Sequence, residues 1–324
     1  MPRQPITCKA VAALLATGAI AVLAAPAASA DVTTVGLGGW QIQSTAQATQ
    51  APAAISTAGF GTASWLHVRP DDAGAPGTEV GALVQTGHCP NVFFSMNMRD
   101  CFGFLSGIGD PRPRFSVPWW FRTEFAAHPG HGDNTDLIVN GVVGEADVWV
   151  NGHEVATRAT VQGDYTRYTF DVTGLLHSGA NALALEVYPN NPNTMFTLDN
   201  VDWTQIPPDN NTGFQFPIQL HTSGPLALSN AHVVQDDAPN VSTAALTLKG
   251  DVTNHAGTAH TGDLSAIVTS PTGRAIRVSR RVTVAPGQTV SVKLPTDKKG
   301  AFTFFCSVPC GPGHQNMKGT LTIE

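Results

Sequence analysis

Charge is scarce in this chain, and positive charge scarcer still. Charged residues make up 13% of 324, with 18 Lys and Arg against 24 Asp and Glu, a balance that offers nothing to attract nucleic acid or an anionic lipid surface. Long apolar runs are missing too. The stretch from Ala10 to Ala25 is too short to span a bilayer, and no later segment approaches the ~20 apolar residues of a membrane helix. Runs of Ala, Leu, Glu and Lys at helical spacing are few, which argues against a helical fold.

What is present begins with a leader. Arg3 and Lys9, the apolar run, and Ala28-Ser29-Ala30 before Asp31 have the three parts of a secretory signal peptide. The segment 1–30 is therefore expected to be removed, and the protein to be secreted, extracellular and free of the membrane. Loss of Arg3 and Lys9 moves the net charge from −6 to −8. The remaining chain is long enough for two domains with separate cores. Cys8 leaves with the leader, and Cys89, Cys101, Cys306 and Cys310 stay. In an oxidising compartment Cys89 and Cys101 are expected to form a disulfide closing a short loop, the alternative being free buried thiols.

Gly, Pro, Thr, Val and Asn are plentiful, and short apolar or alternating runs recur at 136–140, 146–150, 166–172 and 182–187. Turn dipeptides separate them: Asn140-Gly141, Asn151-Gly152 and Ser178-Gly179. Asn151-Gly152 after Trp149-Val150 predicts a hairpin, because both central residues of a type I′ turn need positive φ. A second series of runs, 226–234, 244–252, 262–269, 276–284 and 289–294, starts near Gly224-Pro225. The reading is all-β, with one sandwich over 31–223 and an immunoglobulin-like sandwich over 224–324. Trp119, Trp120 and Trp149 are expected to fill a core, although aromatic rings can also stack on sugars. Asp71-Asp72 beside Pro70 reads as a turn.

The ordered motifs Phe115-Ser-Val-Pro-Trp-Trp-Phe-Arg-Thr-Glu-Phe125, Gly144-Glu-Ala-Asp-Val-Trp-Val-Asn-Gly152, Tyr165-Thr-Arg-Tyr-Thr-Phe-Asp171 and Asp202-Trp-Thr-Gln-Ile-Pro-Pro-Asp-Asn210 resemble glycoside hydrolase family 2, nearest to its secreted exo-β-D-glucosaminidases. The resemblance covers about Asp31 to Val284. It implies a jelly-roll, galactose-binding-like sandwich followed by an immunoglobulin-like domain, binding a β-linked glycan or amino-sugar oligosaccharide such as chitosan. It also implies that Asp202 and Trp203 lie beside the sugar. Asp199 with Asp202 is open to two readings, a sugar or cation contact and an exposed solvated loop. A retaining glycosidase needs two carboxyl groups flanking the scissile bond. The family carries both on a barrel beyond the point where this sequence stops, so the chain alone is expected to recognise a glycan rather than hydrolyse it.

From about Val284 the resemblance changes. Cys306-Ser-Val-Pro-Cys310-Gly-Pro-Gly-His314-Gln-Asn-Met317 is similar to the purple-copper loop of the cupredoxins of cytochrome c oxidase subunit II and nitrous oxide reductase. Thiolates, imidazole and thioether are the soft ligands that copper takes. The resemblance implies copper as cofactor, held by Cys306, Cys310, His314 and Met317 in a cupredoxin-like segment at 284–324, and electron transfer as an alternative function. The family's further histidine has no counterpart between Thr261 and Gly313; His255 and His260 are nearest. A Cys306–Cys310 disulfide is the competing reading.

Overall fold

A computed structural model of the chain describes residues 32–102, 113–130, 132–200, 206–237, 239, 244–269, 275–294, 300–305 and 318–323. Two units are separable, one ending at Gly224 and one starting at Pro225. The described elements are overwhelmingly strands, and every named pairing is antiparallel. The fold is all-β.

The first unit is a sandwich. Strands β1 (Thr33–Gly36), β2 (Trp40–Ser44), β3 (Leu66–Val68), β4 (Gly77–Thr78), β5 (Trp119–Ala127), β6 (Asn134–Val139), β7 (Glu145–Val150), β8 (His153–Ala156), β9 (Tyr168–Asp171), β10 (Gly179–Tyr188), β11 (Gly213–Phe214) and β12 (Ile218–Ser223) follow in chain order. They form a four-stranded sheet, β1-β12-β6-β9, a six-stranded sheet, β3-β2-β5-β10-β7-β8, and the small pair β11-β4. Trp40, Ile42, Trp119, Phe121, Leu183 and Leu185 from the larger sheet meet Leu137, Val139 and Ile218 from the smaller one in a single core. The side chains alternate between faces because the strand period is two.

The opposite face of the six-stranded sheet is also covered. Trp120 and Ala184 pack with Ile55, Ala48 and Trp65, and Trp149 lies against them. Ala184 is paired with Trp149 across β10 and β7, so its small side chain leaves room for the indole. All three tryptophans expected in a core are there: Trp119 and Trp120 are buried, Trp149 partly so. The cover is the short helix α1 (Pro52–Ile55) with its flanks. Arg122 of β5 clamps it down, donating from Nε to the Ile55 carbonyl at 2.8 Å and from Nη2 to the Thr57 carbonyl at 2.9 Å. Its Nη1 reaches Gln41 Oε1 at 3.1 Å, and Nη2 pairs with Glu124. Burial alone would raise the Glu124 carboxyl, but the bonds from Arg122 and the Gly59 N–H outweigh it and hold the group below its usual range.

The hairpin between β7 and β8 turns at Asn151 (φ 49°) and Gly152 (φ 85°), the positive angles that the dipeptide promises. Asn140-Gly141 behaves differently: β6 and β7 lie in different sheets, so this turn carries the chain across the sandwich. Helices α2 (Glu79–Gln85) and α3 (Asn97–Phe102) were not expected from the sequence. Thr78 caps α2 by accepting from Gly81 N at 3.0 Å. Asp71 makes the turn read from its sequence, with Oδ1 accepting from Ala73 N and Ala75 N. Cys89 and Cys101 are joined by a disulfide, Cα atoms 5.8 Å apart.

In the second unit β13 (Leu226–Asp237), β14 (Ala244–Asn254) and β17 (Thr289–Leu294) form one sheet, while β15 (His260–Thr269) pairs with β16 (Ala275–Val284) and β18 (Gly300–Phe305) with β19 (Lys318–Ile323). Among the described residues its core is built on Val252, Val284 and Val292, with Leu226 and Leu264 against them. Asn254, fully buried, ties the turns together, its Nδ2 donating to the carbonyls of Thr258 and Val284.

Candidate functional site

Asp202 and Trp203 lie outside the described residues, and so do Cys306, Cys310, His314 and Met317. The strands bracketing the copper-like motif are described, and Phe305 is paired with Lys318 in their register. Among the described residues no group of three or more His, Cys, Asp or Glu side chains is placed to hold a metal ion. His260 opens β15 with Nε2 at 3.4 Å from Thr258 Oγ1.

The segment leading up to residue 201 is held in a dense polar cluster. Asn190 is buried at its centre. Its Nδ2 donates to Thr197 Oγ1 at 3.1 Å, to Asp199 Oδ2 at 2.9 Å and to the Asn210 carbonyl at 2.9 Å. Asn210 returns a bond from its own amide to the Asn190 carbonyl, and Asn211 Nδ2 reaches Asp199 Oδ1 at 2.6 Å. Asn210 and Asn211 both have positive φ, a conformation that asparagine tolerates better than most residues. Asp199 is 6% exposed. The solvated-loop reading of this residue is therefore wrong: the Asn190 and Asn211 amides draw its carboxylate inward.

Asp164 lies in the same cluster. Its Oδ2 accepts from Leu198 N at 3.1 Å and from the Gln215 amide. Its Oδ1 is buried and has no hydrogen-bond partner among the described residues. Burial raises the Asp164 carboxyl against the opposing bonds from Leu198 and Gln215. Burial likewise raises Asp199, opposed by Asn211 and Asn190 and reinforced by the charge of Asp164. Two carboxylates thus share one polar pocket and repel each other. A cation or a donor hydroxyl relieves both penalties.

The segments that bear this pair also expose two aromatic rings. Tyr165 and Phe196, next in sequence to Asp164 and Thr197, are 58% and 73% exposed with ring centroids 5.0 Å apart. Exposed rings beside hydrogen-bonding groups suit the mixed apolar and polar surface of a sugar. Close backbone approach sets the position of Asp164: Gly141 has φ +86°, and a Cβ there would collide with the Asp164 backbone.

A second acidic pair lies under the 209–212 turn. Asp209 is fully buried, and its carboxylate accepts from Val80 N at 2.8 Å and Asn211 N at 3.0 Å. Burial pushes it up to about 6 against those bonds. Glu79, equally buried, has no partner for either carboxylate oxygen among the described residues. Burial first, then the Asp209 charge, raises it well above the usual range.

Sequence reasoning missed Asp164, Tyr165, Phe196, Glu79 and the role of Asn190. The paired asparagines at 190–191 and 210–211 were the available signal, since such runs mark turns able to bond through their side chains.

A family model described as glycosyl hydrolase 2 galactose-binding domain-like matches residues 40–214, more than half of the chain. The chain belongs to this glycosyl hydrolase 2 family. Among curated relatives, the exo-β-D-glucosaminidase of Streptomyces avermitilis is 35% identical over 271 residues, which is 82% of this chain and 28% of that one. The enzyme of the same name from Amycolatopsis orientalis is 38% identical over 254 residues, 78% of this chain and 23% of that one. The crystal structure of the Amycolatopsis orientalis exo-chitosanase CsxA superposes with a TM-score of 0.68 at 35% identity, over 81% of this chain and 28% of that one. This family 2 chain thus spans under a third of the length of these relatives, and resembles their N-terminal, non-catalytic part.

Proposed function

We propose that the chain is an exported glycan-binding protein that takes amino-sugar oligosaccharides at the surface presented by Tyr165 and Phe196, with the buried Asp164 and Asp199 as its acidic floor. The observation that carries this reading is an exposed aromatic pair, Tyr165 and Phe196, borne by the same two chain segments as two buried, mutually repelling carboxylates, Asp164 and Asp199. The rings would stack on the C–H face of a glucosamine unit, and its ammonium would meet the carboxylate pair. Asp202 and Trp203, just past the described Asn200, are proposed as further sugar contacts. The exo-chitosanase CsxA has been solved with PNP-β-D-glucosamine, which supports an amino sugar as the ligand class.

Calorimetric titration with chitosan oligosaccharides tests it. Binding that weakens by about tenfold in Tyr165→Ala or Phe196→Ala is expected, since stacked rings contribute about 0.5–1.5 kcal/mol beyond area burial. No heat and no retention on chitosan by the unaltered chain would sink it.

A second reading, copper bound by Cys306, Cys310, His314 and Met317, draws on the pairing of Phe305 with Lys318, which brings the ends of the motif-bearing segment side by side. Intense thiolate-to-copper absorption after copper loading, lost in Cys306→Ser, is the expected signature. Identical, featureless spectra of the two proteins would leave a Cys306–Cys310 disulfide or free thiols instead.

A further inference from the structure

The first unit contains a cavity of about 480 Å³ on the side of the larger sheet where β2 ends and β5 begins. Its walls come from the residues following β2, the loop before β3, the end of α2 and the approach to β5. Neither the family resemblance nor the amino-sugar reading makes use of it. At 480 Å³ it falls within the usual range of small-molecule sites, large enough for a monosaccharide with water or for a disaccharide.

Its chemistry is opposite to that of the Asp164–Asp199 cluster. Among the described residues no Asp or Glu lines it. Arg114 does, and its exposed guanidinium makes no ion pair or hydrogen bond among the described residues. The backbone of Arg114 is fixed on the wall, because its carbonyl accepts from Trp119 Nε1 at 3.3 Å. Trp119 in turn stacks on buried Phe115, so the anchor is rigid. His88 has Nδ1 at 3.1 Å from Thr86 Oγ1, which orients the ring and leaves Nε2 for a ligand. Gln43 is already committed, bonded to the Ser64 carbonyl and to Ser44 N. Gln47 lines the cavity with no side-chain hydrogen bond among the described residues. Trp65 and Leu83 supply apolar wall.

We infer that this cavity binds a carboxylate-bearing monosaccharide, a hexuronate. A planar guanidinium with parallel N–H groups matches a carboxylate in two-point geometry. The histidine nitrogen and the glutamine amide serve ring hydroxyls, and the indole wall serves the apolar face of the pyranose. A glucosamine ammonium would find no counter-charge among the described lining residues and would meet Arg114. The acidic net charge of the chain opposes an anion at long range, but beyond about 8 Å at physiological salt that repulsion is largely screened. The full chain therefore presents two separate subsites of opposite charge preference.

The test is titration of the full chain with sodium D-glucuronate, D-glucose and D-glucosamine, followed by saturation-transfer NMR and tryptophan fluorescence. Glucuronate is expected to bind, glucose to bind more weakly and glucosamine not to bind at this site. Arg114→Gln is expected to lower glucuronate affinity about tenfold or more, as loss of a charge-assisted pair does, while glucose affinity stays within about twofold. Thermal unfolding of the variant reports folding, and an exposed side chain without partners should leave it unchanged. Chito-oligosaccharide binding should persist in Arg114→Gln, so failure of one subsite is distinguishable from failure of the other. Equal affinity for glucose and glucuronate, no binding of glucuronate, or undiminished binding by Arg114→Gln would overturn the inference.

Discussion

Replacing Arg122 with methionine keeps most of the stem volume and removes every donor of the clamp over α1. In the folded protein Arg122 is 1% exposed and satisfies the carbonyls of Ile55 and Thr57, Gln41 Oε1 and Glu124. Its guanidinium also lies 5.8 Å from the centroid of Phe60. Glu124 is 37% exposed on its side chain and can turn to water, so its loss adds little. The two carbonyls under the cover cannot do so without lifting it, and each unsatisfied buried acceptor costs about 1–3 kcal/mol. A net loss of about 3 kcal/mol is expected, which for a unit of this size lowers its Tm by about 6–12 °C. Urea unfolding followed by tryptophan fluorescence is a direct assay, since Trp65, Trp120 and Trp149 lie in the affected cluster. Amide exchange should rise first at residues 52–57. A destabilisation below about 1 kcal/mol would refute the view that this arginine holds the cover in place.

The raised carboxyls of Glu79 and Asp209 make the folded state hold protons that the unfolded chain has released. Stability from this pair is thus full below the ordinary carboxylate range and falls as pH rises, for Asp209 between about 4 and about 6. Glu79→Gln should leave stability unchanged at pH 4 and raise it at pH 8, as read by parallel urea titrations; a wild-type-like slope with pH would contradict this. Cys89→Ser with Cys101→Ser opens a loop with sequence separation 12 and should cost about 3 kcal/mol, visible as a lower urea midpoint than that of the oxidised protein. Gly141→Ala must move the Asp164 backbone, at a cost of about 1–3 kcal/mol, and should weaken chito-oligosaccharide binding as well as folding.

The all-β class, the strands β6, β7, β9 and β10 and the strands of the second unit could be read from short runs bounded by turn signals, whereas β1 to β4, β8, β11 and β12 could not. The β7–β8 turn followed from two residues. Helix α2 did not, because seven residues give too little periodicity to distinguish from a strand, and its cap at Thr78 gained meaning only once Asp209 bonded Val80 from 129 residues away. The candidate site was the least legible part. Asp164 and Asp199 come together through Asn190, Leu198 and Asn211, contacts that no spacing along the chain encodes. Strand β10 shows the same limit in the core, since Ala182, Ala184 and Leu185 are all fully buried and a strand covered on both faces loses its alternation.

The cover over Trp120 and Trp149 has an ecological meaning for the molecule. A sheet with bare indoles in a row can lie flat on an insoluble polysaccharide fibre, as a hand rests on a table. Here those indoles are roofed by Ala48, Ile55, Phe60 and Trp65, so this face of the sheet is closed to flat stacking on a polymer.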